Sequence, residues 1–112
     1  MKLEISSENG IIVLRPNGKN LDASNVDAFR SSMTAAVMGI DTVILDLSTI
    51  EFMDSSGLGS IIFANSQLAS DGGRMVVCEV QPGVKVLFEV VHADRVLSIA
   101  ISITQAGALL TK

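Results

Sequence analysis

Apolar and polar positions alternate at the start of the chain: Leu3 and Ile5 stand among charged residues, Glu8-Asn9-Gly10 follows, and Ile11 to Leu14 is apolar again. A period of two marks strands, and Asn-Gly favours a tight two-residue turn, so the chain is predicted to open with a hairpin. Past Pro16 and Gly18 the period changes. Val26, Phe29, Met33, Ala36 and Val37 share one helical face, with Ser24 and Asp27 spaced as a capping pair at its start and Gly39 at its end. Val43 to Leu47 is a short apolar run rich in branched residues, expected to be a central strand buried on both faces. From Gly57 a second helix places Leu58, Ile61, Ile62, Leu68 and Ala69 on one stripe and ends at Asp71-Gly72-Gly73. A buried strand is then expected over Met75 to Val80. Pro82-Gly83 opens a short helix with Val84, Leu87, Phe88 and Val91 inward, Leu97 to Ile101 adds a strand, and a helix from Gln105 to Leu110 closes the order.

Strands that alternate with helices pair in parallel through right-handed crossovers. The fold class is therefore α/β, a small mixed sheet of about five strands with an N-terminal hairpin at one side and about four helices. With 112 residues, the expectation is a single domain over 1–112, which excludes a multidomain enzyme. A hydrophobic share of 48% against 18% charged residues excludes disorder. The net charge is −4, and Lys2, Arg15, Lys19, Arg30, Arg74, Lys85, Arg95 and Lys112 are scattered singly, so no footprint for direct nucleic-acid contact results. Without an apolar signal core behind Met1 or an apolar run near the ~20 residues of a membrane span, a soluble, unexported protein of the cytoplasm is expected, with no direct membrane contact. Cys78 is the only cysteine, which excludes a disulfide framework and reads as an inert core thiol. The absence of Trp and Tyr removes the usual platforms for stacking bases or sugars.

One stretch departs from ordinary patterning: Glu51-Phe52-Met53-Asp54-Ser55-Ser56-Gly57-Leu58-Gly59, between a buried strand and an amphipathic helix. Ligands of open α/β sheets bind beyond the carboxyl ends of the strands, and a helix start there offers unpaired N–H groups and a positive dipole end. Asp54, Ser55 and Ser56 include a helix cap, but three polar residues exceed what one cap requires. Gly57 and Gly59 remove bulk beside the hydroxyls, and Met53 and Leu58 flank them as expected exposed apolar contacts. A serine presented in this way is reachable by another protein's active site.

Phe52-Met53-Asp54-Ser55-Ser56-Gly57-Leu58-Gly59 resembles the phosphorylation motif of STAS-domain anti-sigma factor antagonists. The resemblance extends through Leu21-Asp22, through Gly72 to Cys78 and through Val84 to Phe88. It implies a small, non-enzymatic switch in which one serine is phosphorylated by an anti-sigma factor with serine kinase activity. A metal-dependent serine phosphatase of the PP2C type then restores it. The unmodified form would bind the anti-sigma factor and free a sigma factor. Carried over by position, the phosphoacceptor falls on Ser55 and the acidic contact residue of the preceding loop on Asp22. The partner surface then comprises Asp22, Met53, Asp54, Ser55, Ser56, Gly57 and Leu58. No cofactor is implied.

Two other classes compete. A soluble STAS subunit of a membrane transporter complex would share the fold, but retention of Asp-Ser-Ser-Gly favours the switch. A serine hydrolase would need His92, the only histidine, which is expected at a helix end, and the motif lacks the Gly-x-Ser-x-Gly elbow. Gly57-Leu58-Gly59 lacks the third glycine and the lysine of a phosphate-binding loop. Phe63 falls opposite the apolar stripe of its helix and reads as a single exposed aromatic.

Overall fold

The computed structural model describes residues 1–111; Lys112, the last residue of the expected domain, lies outside them. Asn9 and Gly10 both adopt left-handed backbone, with φ of 51° and 81°, the conformation that a tight hairpin turn demands. They join β1 (Leu3–Glu8) to β2 (Ile11–Pro16) with Glu8 opposite Ile11, as the opening pattern predicts. There follow β3 (Asn20–Leu21), α1 (Val26–Ala36), β4 (Thr42–Asp46), β5 (Phe52–Met53), α2 (Ser55–Ser70) and β6 (Arg74–Cys78). The described chain ends with α3 (Pro82–Val90), a 3-10 turn over Ala93–Arg95, β7 (Ser98–Ile99) and α4 (Ile103–Leu110).

The main sheet has the order β1-β2-β4-β6-β7, with β4 at its centre as expected and only the hairpin antiparallel. Side chains alternate across it. Leu14, Val43, Leu45, Met75 and Val77 face one core, filled by Phe29 and Met33 of α1, Ile61 and Leu68 of α2, and Val84 and Phe88 of α3. Val13, Ile44, Val76 and Cys78 face a smaller core under Ala106 of α4. Burying a side chain of the size of Phe29 or Met33 stabilises the fold by about 1.5–3 kcal/mol. Burial also pushes the Cys78 thiol up to about 12, so it stays protonated and unreactive, as a core thiol should.

Several boundaries differ from the periodic reading, each for a local reason. Ser24 and Asp27 form no capping pair. Ser24 is held instead by Asp22, and α1 begins after Asn25, whose side chain makes no cap bond to the helix. Helix α2 starts at Ser55 rather than Gly57, because Asp54 is its cap. Ala69 and Val91 are exposed rather than inward, Val91 because α3 ends one residue before it. Strand β6 stops at Cys78, since Glu79 turns into left-handed backbone (φ 56°) and its carboxylate accepts a hydrogen bond from Ile103 N at 3.1 Å. Strand β7 covers only Ser98–Ile99, and Ser102 caps α4 through Gln105 N at 3.1 Å, two residues earlier than expected. The small second sheet of β3 and β5 is absent from the periodic reading altogether.

Candidate functional site

That second sheet organises the site. Strands β3 and β5 run parallel with Leu21 beside Met53, so the residues that follow them, Asp22 and Asp54, leave the same edge together. Asp54 is extended (φ −105°, ψ −176°) and caps α2, its Oδ1 accepting from Gly57 N at 2.9 Å. Its Oδ2 accepts from Ala23 N at 3.1 Å. One carboxylate thus fastens the start of α2 to the loop that carries Asp22. The Gly57 N–H bond, opposed in part by desolvation, holds the Asp54 carboxyl below the usual aspartate value, so it is anionic at neutral pH.

The Asp22 loop is closed in its turn. Asp22 Oδ1 accepts from Ser24 N at 2.9 Å and Ser24 Oγ at 2.5 Å, while Asn25 Oδ1 accepts from Asp22 N at 3.0 Å. Beneath these polar groups the packing is tight. A Cβ on Gly57 would stand 2.2 Å from the Leu21 carbonyl oxygen and 2.9 Å from Met53 Cγ, so only glycine lets α2 lie against the β3–β5 sheet. On the outside, Ser55 and Ser56 occupy the first two helical positions, both exposed. Neither hydroxyl makes a hydrogen bond within the described residues. Two N–H groups of the first turn and the positive end of a sixteen-residue helix lie next to them.

Of the residues the sequence singles out, Asp22, Asp54, Ser55 and Ser56 come together at the surface. Met53, Gly57 and Leu58 form the base instead. Met53 and Leu58 are each 5% exposed, which corrects the expectation that they are exposed contacts. In a two-residue strand the side chains alternate, and inward Met53 sends Phe52 outward, 54% exposed beside Asp54. No local signal in Glu51-Phe52-Met53 gives this, because a two-residue strand is too short to carry a period. Phe63 is also exposed, yet not idle, since the Arg30 guanidinium of α1 lies 4.4 Å from its ring centroid.

Geometry separates Ser55 from His92. Helix α3 begins against the site, where a Cβ on Gly83 would stand 2.9 Å from the Glu51 carbonyl oxygen, and Gln81 Nε2 donates to Ser48 O at 2.5 Å. His92 lies past the other end of this helix, about 13 Å further on. A serine–histidine pair at Ser55 is not assembled. Among the described residues, no helix is long and apolar enough to cross a membrane.

Comparison with known proteins accounts for this arrangement. The STAS domain model matches residues 2–106. An anti-sigma F factor antagonist of Paenibacillus polymyxa is 31% identical over 101 residues, covering 88% of this chain and 86% of that relative. In fold, the anti-sigma-factor antagonist (STAS) domain protein of Planctomyces limnophilus is similar with a TM-score of 0.87 at 22% identity, over 98% of each chain. The Bacillus cell fate determinant SpoIIAA in its phosphorylated form is similar with a TM-score of 0.67 at 21% identity, over 96% of this chain and 99% of that one. The family match spans the sheets, the first three helices and the serine-bearing helix start, and the sequence likeness to an antagonist spans most of both chains: the chain belongs to the STAS domain family, with the anti-sigma factor antagonists.

Proposed function

We propose that this protein is a partner-switching antagonist controlled at Ser55. Unmodified, it binds an anti-sigma factor that is also a serine kinase, and a sigma factor is released. Phosphorylation of Ser55 by that partner ends the complex, and a PP2C-type phosphatase resets the switch in the cytoplasm. The observation that carries this reading is the exposed, unbonded Ser55 hydroxyl next to an Asp54 carboxylate that is fixed in place and held ionised. A phosphate there adds about −1.5 to −2 charges beside Asp54 and near Asp22, so a partner surface that accepts a neutral hydroxyl is opposed by a concentrated anion. The α2 dipole offsets part of this, by about 1 kcal/mol at most in an exposed setting, which is less than the several kcal/mol of an uncompensated charge at an interface. The name of the Paenibacillus relative and the existence of a phosphorylated SpoIIAA structure support the same reading.

Incubation with the host's anti-sigma kinase and ATP, followed by mass spectrometry, should add one phosphate to wild type and to Ser56→Ala and none to Ser55→Ala. Calorimetry should then find the phosphoprotein binding that kinase at least tenfold more weakly, or ~1.4 kcal/mol. A phosphate mapped to Ser56, or tighter binding by the phosphoprotein, would overturn the assignment or the direction of the switch.

A further inference from the structure

The two glycines of the motif answer to different neighbours. Gly57 is buried, and the Leu21 carbonyl excludes any side chain from it. Gly59 is exposed, and beyond its chain neighbours and the adjacent backbone of its own helix no atom of the described residues lies within 4 Å of the place its Cβ would occupy. It sits inside α2 without a positive φ, where glycine is the least favourable residue after proline. Nothing among the described residues requires a glycine there, so the space above it is free to serve a partner.

Helix geometry identifies what the glycine leaves open. Ser55 and Gly59 are four residues apart and lie one above the other on the same face. Helical side chains lean toward the N-terminus, so a residue covers the turn before its own Cα. A side chain at position 59 would therefore spread over Ser55. Phosphoryl transfer needs that ground clear. The Ser55 Oγ must approach the γ-phosphorus of ATP in line with the departing ADP oxygen. The Oγ–P bond then forms as the bond to ADP breaks, and the hydroxyl proton passes to a carboxylate of the kinase.

We propose that Gly59 is the access-determining residue of the switch: its missing side chain lets the main chain of the kinase close over the first turn of α2 and reach Ser55. Helix stability is given up at this position for approach. The inference rests on Ser55 being the phosphoacceptor, and the experiment keeps the two apart. Initial rates of Ser55 phosphorylation by the host's anti-sigma kinase with ATP are compared for wild type, Gly59→Ala, Gly59→Leu and Ala69→Leu, the last an exposed position near the far end of the same helix. Gly59→Ala should melt about 3 °C higher than wild type, because alanine is the better helix former and meets no neighbour. It should nevertheless be phosphorylated about threefold more slowly in kcat/KM, and Gly59→Leu at least about tenfold more slowly, with Ala69→Leu unchanged. Gain of stability with loss of access is a pairing that a purely structural glycine does not give. If Gly59→Leu is modified within twofold of wild type, or if Gly59→Ala melts lower, the inference is wrong while the role of Ser55 stands. If wild type takes no phosphate on Ser55, the functional reading fails first and this inference falls with it.

Discussion

Two aspartates stand at the ends of neighbouring segments, and each accepts two hydrogen bonds. Asp46 closes β4 on the α4 side of the sheet, 1% exposed, and accepts from Arg15 Nε at 3.0 Å and Ser48 N at 2.8 Å. Asp54 follows β5 at the surface and accepts from Gly57 N and Ala23 N. The first has a cation as partner and the second has only main chain. Pairing with Arg15 neutralises Asp46 inside the protein, and the bond to Asp46 in turn holds the Arg15 proton more firmly than usual. Backbone donors fix the position of Asp54 and leave its charge uncancelled. The same hydrogen-bonding capacity thus locks the sheet in one place and, in the other, keeps a standing negative charge beside a serine. An added phosphate is felt strongly only in the second setting.

The largest expected effect comes from breaking the buried member of this comparison. Arg15→Ala leaves the Asp46 carboxylate, itself 1% exposed, with a single N–H donor and no cation. Removing one partner of a fully buried pair costs about 3–5 kcal/mol, and because the Arg15 side chain is 37% exposed, so that water can enter where it stood, a loss of about 2 kcal/mol is expected. The Arg15 contact to Glu4 at 3.4 Å is exposed and adds little. Urea unfolding should therefore show a loss near this size, while Ser55 is still phosphorylated in whatever fraction remains folded. A loss below about 1 kcal/mol would mean that Asp46 does not depend on Arg15, and the contrast between the two carboxylates would fail.

Asp54→Ala should act more gently, and its effect should depend on pH. The substitution removes the α2 cap and the bond to Ala23 N, and the melting temperature should fall by about 4 °C at neutral pH. Because the folded protein holds this carboxyl below its ordinary value of 3.8, the folded state binds that proton less readily than the unfolded chain. The stabilising contribution is then present above 3.8 and is lost as pH falls through the depressed value. Melting curves of wild type and Asp54→Ala should converge as the pH is lowered below 3.8. A difference that stays constant down to the acid limit would show that ionisation of Asp54 plays no part in holding the helix start.

How much of this was legible in the residues follows from the range of the signals. The hairpin, the central strand and the helices announce themselves through periods of two and 3.6 over several residues, and the octapeptide around Ser55 places the site. Strands β3 and β5, two residues each, are too short to carry a period. They are defined by pairing across 32 positions, which only the folded chain displays. Their absence from the periodic reading explains the misplacement of Met53, since without β5 nothing says which of Phe52 and Met53 turns inward. Asp46 was hidden for a related reason. It reads as one polar residue inside the apolar run from Val43 to Leu47, and its partner stands 31 residues earlier on a strand paired to it in parallel. Short strands and cross-strand charge pairs are non-local facts, whereas caps, turns and amphipathic stripes are local ones.

The smallest stability effect should belong to Asp22, and it tests the surface member of the comparison most sharply. Asp22 accepts two bonds from Ser24, but both lie in an exposed turn where water competes for every donor. The turn keeps other ties when this carboxylate is gone. Asn25 Oδ1 still receives Asp22 N, Asn25 Nδ2 still donates to Asn20 O at 2.9 Å, and Ala23 N still reaches Asp54. Asp22→Ala should therefore change stability by only about 0.5 kcal/mol. Its effect on function should be larger, because the β3–β5 register carries Asp22 to the same edge as Asp54 and Ser55, where a partner engaging the serine would meet it. Calorimetry with the host's anti-sigma kinase should show binding weakened by about threefold or more, roughly 0.7 kcal/mol, at nearly unchanged melting temperature. Both readings are needed. A melting temperature lowered by more than about 4 °C would make Asp22 a turn residue whose loss disturbs the site indirectly, and unchanged binding in a stable variant would remove it from the recognition surface.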